Sequence, residues 1–371
     1  MATTPRPFLT VIIPAYNAEK YLEETVLSLL NQPCKDLQVV IVNDGSKDGT
    51  LSLANRLKKQ HMRVHVIDQK NSGSAAARNA GLDLCVSLQT EYIAFLDSDD
   101  VWTDSFYDAD LRDQMRQSQK DIYYFGFYYA NTDLTRGRKV TVVPCDDHNG
   151  MLAKYGIHCC YFYKYRIIQK HQLRFPQGFR TQEDTTFTFT FCSAARTFAH
   201  IPKEIFLYRS NPNSVSHAKF DPADRYFNHA IPAWKWAEQE VLRIAKAEGT
   251  DGSLGAKECA TMQKGYLSEF ICIACQEGLP LSSIFSALRN SGMISLYDNI
   301  DTVWVSEVCQ SNWDKFIAHP REYWIRFRFR GIAIKFGQRI RNLSIIQKRR
   351  YPIALDGVYR KKEFVTADRN T

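Results

Sequence analysis

Apolar runs and amphipathic segments alternate along the first hundred residues of the chain. The runs are rich in β-branched residues, which is typical of strands buried on both faces of a sheet. They occupy residues 8–14 (FLTVIIP), 37–42 (LQVVIV), 64–69 (VHVIDQ) and 92–96 (YIAFL). The segments between them predict helices at about residues 18–30, 50–60 and 74–88. This alternation predicts βαβ units and an α/β fold with a doubly wound, mostly parallel sheet.

A polar loop follows each of the four predicted strands. Parallel strands place their carboxyl ends at one edge of the sheet, and ligands bind at that edge. We therefore expect a binding site built from four loops, namely Pro14–Asn17, Asn43–Ser46, Gln69–Gly73 and Asp97–Asp100.

The fourth strand runs directly into three carboxylates within four positions, in the stretch YIAFLDSDD at residues 92–100. Such charges repel one another unless a cation neutralises them. The cluster is either a turn or helix N-cap, where Asp is favourable, or a metal site.

The chain has neither a GxxxxGK[ST] nor a GxGxxG phosphate loop after its first strand. A bound diphosphate would therefore need another positive charge, and a divalent cation held by carboxylates supplies one.

The pattern changes beyond residue 120. Aromatic strands such as DIYYFGFYYA come first, followed by a helical segment around Glu183-Asp184 and the strand-like IFLYR. The βαβ pattern ends near residues 218–222, and residues 223–316 look helical. We predict a first domain at residues 1–220, a helical region at 221–320 and a basic aromatic tail at 321–371.

The composition is that of a soluble globular protein, with 44% hydrophobic and 24% charged residues. No run of 18 apolar residues occurs, so we expect no transmembrane helix. The first residues lack the basic and apolar regions of a secretory signal. Ten scattered cysteines favour buried thiols in a reducing cytosol over disulfides or a four-ligand zinc site. These features predict a cytoplasmic protein.

The net charge of +8 comes from the tail. Residues 321–371 contain 14 Lys+Arg and 4 Asp+Glu, so the preceding residues are near neutral. The stretch REYWIRFRFRGIAIKFGQRIRNLSIIQKRR interleaves basic with aromatic and aliphatic residues. This pattern favours peripheral binding to an anionic membrane surface. A helix that packs on the protein with its Arg stems is the second interpretation. Nucleic acid is disfavoured because no recognition motif accompanies the tail.

Six segments in order resemble family 2 glycosyltransferases of GT-A fold. Four belong to the first hundred residues: VIIPAYNAEKYLEETVLSLLNQ, VVIVNDGSKDGT, NSGSAAARNAGL and YIAFLDSDD. Two resemble the acceptor side of that family, RFPQGFRTQEDTTF and IFLYRSNPNSVSH. The resemblance covers about residues 8–217. It implies a Rossmann-like nucleotide-sugar-binding and catalytic domain, followed by a helical C-terminal extension.

The resemblance also implies a role for each matching residue. Pro14, Ala15 and Tyr16 would line the nucleotide pocket, and Asp44 would contact the base or ribose. Gly73 would allow close approach of the backbone, and Arg78 would contact the base or sugar nucleotide. Asp97 and Ser98 would lie at the ribose or metal side of the donor. Asp99 would ligate Mn²⁺ or Mg²⁺, with His217 as a further metal ligand. Asp184 would be the catalytic base, and Glu183 competes for that role. Taken singly, Asp44 fits a turn and Asp97–Asp100 fit a helix N-cap. Arg78 and Glu183-Asp184 fit exposed helix positions, and His217 fits a surface or capped histidine.

The expected activity is inverting transfer of one sugar from a nucleotide-diphosphate sugar, a UDP-sugar, to a glycan or lipid-linked acceptor in lipopolysaccharide, O-antigen or capsule synthesis. Displacing the nucleoside diphosphate requires charge neutralisation, and one carboxylate suffices as base for a single displacement. No second carboxylate stands at a nucleophile's position, which disfavours a covalent intermediate. The enzyme would work at the inner face of the cell membrane.

Two other functions fit the pattern less well. A nucleotidyltransferase would need a basic residue near the first loop, and that loop offers only Lys20. A non-catalytic, membrane-associated partner that binds nucleotide sugars would have no reason to keep both acidic motifs. The acceptor segment YGIHCCYFYKYRII, with His158, departs from the tryptophan-containing stretch of many family members, which leaves the acceptor undefined. The chain also lacks a QxxRW-like motif, which favours transfer of a single sugar each time an acceptor binds over processive synthesis and extrusion of a polymer.

Overall fold

Four parallel strands form the first half of the central sheet. The computed structural model describes residues 6–140, 158–211, 221–290, 315–316 and 318–328. In chain order these strands are β1 (Leu9–Ala15), β2 (Leu37–Asp44), β3 (Val64–Gln69) and β4 (Tyr92–Phe95). They lie side by side in the order β3-β2-β1-β4, and every neighbouring pair is parallel. The α/β class and the doubly wound parallel half predicted from the sequence are confirmed.

The second half of the sheet contains antiparallel pairs. Its strands are β5 (Val101–Trp102), β6 (Ile122–Ala130), β7 (Arg136–Val140), β8 (Tyr161–Lys164) and β9 (Phe198–Arg209). The order continues β4-β8-β6-β9-β5, and β7 pairs with β6. The β6–β9 pair is parallel, whereas β4–β8, β6–β8, β6–β7 and β5–β9 are antiparallel. This half corresponds to the aromatic strands of the sequence.

Helices connect these strands and extend the chain beyond them. Their bounds are α1 Leu22–Leu30, α2 Thr50–Gln60, α3 Ser74–Leu88, α4 Ala109–Ser118, α5 Tyr165–His171, α6 Glu183–Ala194, α7 Ile231–Glu248, α8 Ser253–Glu277 and α9 Leu281–Asn290. A 3₁₀ turn at His158–Cys160 precedes β8, and a π-helix at Asp224–Ala230 precedes α7. Helix α1 begins later than predicted, because residues 18–21 form a turn in which Tyr21 N–H donates to the Ala18 carbonyl at 3.0 Å.

Helix α3 packs closely on the parallel strands. It contacts β1 and β2, and a Cβ on Gly81 would lie 2.5 Å from Cγ2 of Ile12. Glycine is therefore required for this close approach of helix and strand. The close packing fixes the position of the helix that carries Arg78 beside the carboxyl end of the sheet.

Helix α6 is buried on nearly all sides. Its residues from Thr186 to Cys192 are all buried, and Thr and Phe alternate among them. Each Thr hydroxyl donates to a carbonyl three or four residues back, for example Thr186 to Gln182 at 2.6 Å and Thr188 to Asp184 at 3.1 Å. These bonds satisfy the hydroxyls inside the core. The first turn of α6 carries Glu183 and Asp184 to the sheet edge.

The described residues divide into two compact units. The first contains the whole sheet, at residues 6–140 and 158–211, together with residues 243–250. The second is helical and contains residues 221–242 and 251–290 with the described part of 315–328. None of the helices within the described ranges is both long and apolar enough to span a bilayer.

The beginning of the basic tail packs within the second unit. Trp324 Nε1–H donates to the Leu279 carbonyl at 2.7 Å, and the Tyr323 hydroxyl lies 3.0 Å from the Cys272 sulfur. Tyr323 is buried, while Ile325 is 49% exposed. For residues 320–328, which are helical, these contacts agree with the interpretation of a helix that packs on the protein. The rest of the tail lies outside the described residues.

Candidate functional site

The loops after β1 and β2 are joined to each other at the predicted edge of the sheet. Asn17 N–H donates to the Ser46 hydroxyl at 3.0 Å, and Lys47 N–H donates back to the Asn17 side-chain oxygen at 2.8 Å. Ala18 N–H donates to the Thr50 hydroxyl at 2.8 Å. The structure thus brings the first two predicted loops together through side-chain contacts that a single sequence does not specify.

Asp44 holds the loop that follows β3. Its carboxylate accepts hydrogen bonds from the Gln69 amide at 2.7 Å and from the backbone N–H groups of Ser72 and Gly73, each at 2.8 Å. Gly73 has a φ of +89°, a conformation that L side chains rarely adopt. The observed contacts of Asp44 order the loop, and its recognition of a base or ribose stays a prediction.

The segment after β1 presents one aromatic side chain to solvent. Pro14 and Ala15 end the strand, and the Ala15 side chain is buried, whereas Tyr16 is 47% exposed. A contribution of Ala15 to a nucleotide pocket stays a prediction. Tyr16 offers a ring face on which a base can stack.

Arg78 is a buried cation that joins two acidic segments. Its guanidinium donates to Asp97 Oδ1 at 2.9 Å and to Glu183 Oε1 at 3.4 Å, and its side chain is 5% exposed. Burial alone would lower the pKa of Arg78, but the charges of Asp97, Glu183 and Asp184 outweigh burial and raise it. The guanidinium also lies 5.4 Å from the centroid of the Phe175 ring. Arg78 thus neutralises part of the negative charge of the site.

The carboxylates after β4 have three different environments. Asp97 contacts Arg78, Asp99 Oδ2 accepts from the Asn211 amide at 2.7 Å, and Asp100 is buried. Burial raises the pKa of Asp99, and repulsion from Asp97 adds to the effect. Burial, together with the charges of Asp97 and Asp99, raises the pKa of Asp100 well above its usual range.

The end of β9 fixes these carboxylates, and the sequence analysis gave its arginine no role. Arg209 N–H donates to Asp100 Oδ1 at 2.8 Å, and its guanidinium donates to the Asp99 carbonyl at 2.6 Å. The guanidinium also pairs with Glu24 at 2.6 Å and lies over the Tyr21 ring. Ser98 is held through its carbonyl, which accepts from the Thr25 hydroxyl at 3.0 Å. Helix α1 and strand β9 therefore position the Asp97–Asp100 segment from two directions.

Glu183 and Asp184 differ in their contacts and their accessibility. Glu183 Oε1 accepts from the Ser74 hydroxyl at 2.8 Å and from Arg78, and its side chain is 13% exposed. Asp184 is 31% exposed, and its Oδ1 accepts from Thr185 N–H at 2.7 Å. Burial and the charge of Asp184 raise the pKa of Glu183. Burial would also raise the pKa of Asp184, but the hydrogen bond to His158 and its charge outweigh burial and hold that pKa well below its usual range.

His158 connects Asp184 with Asp97, a role that the sequence analysis missed. Its Nδ1 lies 3.2 Å from Asp184 Oδ2, and its Nε2 lies 3.7 Å from Asp97 Oδ1 and 3.4 Å from the Cys159 sulfur. Burial raises the pKa of the Cys159 thiol well above its ordinary value, so the thiol keeps its proton. The Asp184 carboxylate can only accept, so Nδ1–H of His158 donates to it. The only sequence signal was that the surrounding YGIHCCYFYKYRII departs from the family pattern.

The acidic residues of the site suit a hard divalent cation. The site contains five carboxyl groups, those of Asp97, Asp99, Asp100, Glu183 and Asp184. Arg78 pairs with Asp97 and Glu183, whereas the Arg209 guanidinium donates to the Asp99 carbonyl and pairs with Glu24. Burial, with added repulsion from neighbouring carboxylates, raises the pKa values of Asp99, Asp100 and Glu183. Asp100 Oδ2 is buried without a hydrogen-bond partner among the described residues. Carboxylate oxygens are the ligands that Mg²⁺ and Mn²⁺ prefer, so Asp97 and Asp99 fit such an ion. His217 lies outside the described residues.

Comparison with known proteins identifies the same family as the sequence motifs. A family model described as Glycosyl transferase family 2 matches residues 10–200, more than half of the chain. The glycosyltransferase EpsJ of Bacillus subtilis (strain 168) is 30% identical over 232 residues, which cover 58% of this chain and 65% of EpsJ. TuaG of the same organism, named as a teichuronic acid biosynthesis glycosyltransferase, is 31% identical over 246 residues, which cover 66% of this chain and 93% of TuaG.

A solved structure shows the same fold. The crystal structure of S. aureus TarS 1–349 in complex with UDP-GlcNAc matches with a TM-score of 0.60 at 19% identity, covering 89% of this chain and 92% of that chain. At this level of identity the likeness is one of fold, and it confirms the predicted GT-A architecture with its helical C-terminal region. With the family model matched over the sheet and TuaG covered almost in full, the chain belongs to glycosyl transferase family 2.

Proposed function

We propose that this glycosyltransferase moves one sugar from a UDP-sugar to a hydroxyl of a glycan or lipid-linked acceptor, with inversion at the anomeric carbon. The proposal rests on the position of His158. This residue contacts both Asp97, in the acidic segment after β4, and the partly exposed carboxylate of Asp184. TarS, of the same fold, is described in complex with UDP-GlcNAc. The names of relatives such as TuaG support a role in bacterial cell-surface glycan synthesis, which includes lipopolysaccharide, O-antigen and capsule.

The residues of the chain divide the work between donor and acceptor. Tyr16 and the loop ordered by Asp44 would bind the nucleotide. A divalent cation at Asp97 and Asp99 would neutralise the diphosphate leaving group as a Lewis acid. Arg78 would hold Asp97 in place for this task, because it donates to Asp97 at 2.9 Å.

Asp184 would accept the proton of the attacking hydroxyl. It is ionised, partly exposed and oriented by His158 and Thr185, which leaves acceptor capacity on its oxygens. Glu183 is less accessible and already accepts from Ser74 and Arg78. A single carboxylate in this position supports direct displacement, and direct displacement inverts the configuration.

A thermal-shift screen of nucleotide sugars with Mn²⁺ or Mg²⁺ tests the proposal. A ligand at about 100 times its Kd stabilises the native state by about 2.7 kcal/mol, so we expect a rise in Tm with a UDP-sugar and metal. Asp99→Asn should remove the metal-dependent part of this rise and the metal-dependent turnover of the donor. Asp104→Asn, the same change at an exposed position, is the matched control. An unchanged metal-dependent shift in Asp99→Asn, or a preference for nucleoside triphosphates, would contradict the assignment.

We further propose peripheral contact with the cytoplasmic membrane face through the basic residues beyond 328. Those residues contain 11 Lys+Arg and 3 Asp+Glu and so supply most of the charge surplus of the tail. Each Lys or Arg near an anionic surface contributes about 1 kcal/mol. In co-sedimentation, the full chain should bind vesicles containing phosphatidylglycerol and not purely zwitterionic vesicles. The double change Arg339→Glu and Arg341→Glu should weaken binding. Equal recovery with both kinds of vesicle, or none with either, would refute the contact.

A further inference from the structure

Three side chains of different chemistry converge beside the catalytic centre. The Cys159 sulfur lies 3.4 Å from His158 Nε2, and that nitrogen lies 3.7 Å from Asp97 Oδ1. One ligand atom from each of the three residues falls within 4.8 Å of the others. A thiol, an imidazole and a carboxylate therefore meet around a single point.

Two of the distances among these atoms are close to those of a tetrahedral zinc site. Zn–S of about 2.3 Å and Zn–N or Zn–O of about 2.0–2.2 Å place ligand atoms roughly 3.3–3.6 Å apart at tetrahedral angles. The S···N distance of 3.4 Å is about 0.1 Å shorter than the roughly 3.5–3.6 Å of a zinc-bound S–N pair, and the N···O distance of 3.7 Å is about 0.2 Å longer than the upper end of the roughly 3.3–3.5 Å of an N–O pair. Small side-chain shifts would bring these atoms to zinc-binding distances. Sulfur and imidazole ligands select Zn²⁺ over Mg²⁺, which prefers oxygen. The set thus differs in chemistry from the all-carboxylate site at Asp97 and Asp99.

The surroundings of His158 already orient it as a metal ligand. Its Nδ1 faces Asp184 at 3.2 Å, and a carboxylate on the far nitrogen is the usual support of a zinc-bound histidine. The ring is buried and packs against Phe95 and Phe175, with centroids 6.0 and 6.5 Å away. Cys159 is buried as well, whereas Asp97 is 34% exposed, so an ion would enter from the side of Asp97.

We propose that Cys159, His158 and Asp97 form a binding site for Zn²⁺, and that zinc bound there inhibits sugar transfer. Binding forms a Zn–S bond and releases the thiol proton to solvent, while Nε2 and the Asp97 carboxylate complete three of four positions and water takes the fourth. Zinc would bind Asp97 Oδ1, which the donor site needs and which accepts from Arg78 at 2.9 Å, and it would also bind His158 Nε2. Zinc would thus weaken the pairing of Arg78 with Asp97. The inhibition rests on the proposed function, whereas the binding site does not.

Cobalt spectroscopy on the intact chain tests the binding site without using activity. Co²⁺ added to the metal-free protein should give a near-ultraviolet sulfur-to-metal charge-transfer band and the intense visible bands of tetrahedral coordination. Cys159→Ser should lose the charge-transfer band and weaken Zn²⁺ binding by about 100-fold or more. Mutating a residue that only supports a metal ligand already lowers metal affinity by about 10- to 100-fold, and Cys159 would be a ligand itself. Cys160→Ser is the matched control, because Cys160 is the adjacent buried thiol and lies outside the cluster.

The outcomes separate this site from the proposed function. A band that persists in Cys159→Ser, or that disappears equally in Cys160→Ser, overturns the site. If Cys159→Ser does not fold, His158→Asn, which removes the nitrogen ligand near Asp97, must abolish the tetrahedral visible bands. Zn²⁺ should slow sugar transfer by Cys160→Ser as it slows transfer by the unmodified chain. It should have little effect on the transfer rate of Cys159→Ser. A cysteine-dependent cobalt spectrum in a protein without donor turnover would refute the activity and leave the zinc site standing.

Discussion

Replacing Asp184 with asparagine is expected to slow sugar transfer by about 10²- to 10⁴-fold, the usual contribution of a positioned general base. Asparagine has the shape of aspartate, and its oxygen can still accept from His158 or from the N–H and hydroxyl of Thr185, the donors observed here. It cannot take up the proton of the acceptor hydroxyl. We therefore expect kcat to fall while the Kd of the donor, measured by calorimetry, changes little.

Glu183→Gln is the matched comparison for that variant. Glu183 accepts from Ser74 and Arg78, so the change should weaken the pairing of Arg78 and lower stability or donor affinity more than kcat. If Asp184→Asn kept full transfer while Glu183→Gln lost it, Glu183 would be the base. Comparable kcat losses in both variants, with donor binding intact in each, would mean that the two carboxylates share the proton.

Replacing Arg78 with methionine is expected to destabilise the protein by about 3–5 kcal/mol, the usual consequence of removing one partner from a buried ion pair. Methionine keeps much of the length of the side chain but leaves Asp97 and Glu183 without their counter-charge. This loss is a large fraction of the usual stability of about 5–15 kcal/mol. Urea unfolding should show a lower midpoint with an unchanged m-value.

Arg174→Met provides the control for a surface pair. Arg174 pairs with Asp83 at 2.8 Å, but the two side chains are 43% and 65% exposed. Such pairs contribute about 1 kcal/mol at most, so the midpoint should move little. Equal midpoints for Arg78→Met and the unmodified chain would show that the buried pair is not needed for stability. Where Arg78→Met is not recovered in folded form, partial recovery by Arg78→Lys would still identify the charge as the requirement.

The parallel half of the sheet was predictable because its strands are continuous apolar runs separated by helices of ordinary length. Once those strands are parallel, the loops around Asp44, Gly73 and Asp97 must share one edge. Arg78 also had a local signal that went unused. It occupies the buried face of α3 in line with Ala75, Leu82 and Cys85, and a charged residue on such a face needs a buried partner.

The partners of His158 and Arg209 could not be predicted from one sequence. His158 stands among apolar residues and cysteines, and its polar contacts come from the segment after β4 and from the first turn of α6. Arg209 ends an unremarkable strand sequence, FLYR, and meets Asp99 and Asp100 only because β9 pairs with the short β5. The hydrophobic periodicity of a sequence predicts its helices and strands. It does not specify which side chains of distant helices and strands contact one another.

The contact between β9 and the acidic segment after β4 has a consequence for biosynthesis. Arg209 and Asn211 follow their partners Asp100 and Asp99 by 109 and 112 residues. At a synthesis rate of about 5–20 residues per second, a growing chain carries these carboxylates for roughly 5–20 s before the residues that hold them exist. Closing a connection of this length is also slow compared with forming the local βαβ units. The parallel half of the sheet can therefore form on the ribosome well before the acidic segment takes its final shape, because that segment is held only once β9 is in place.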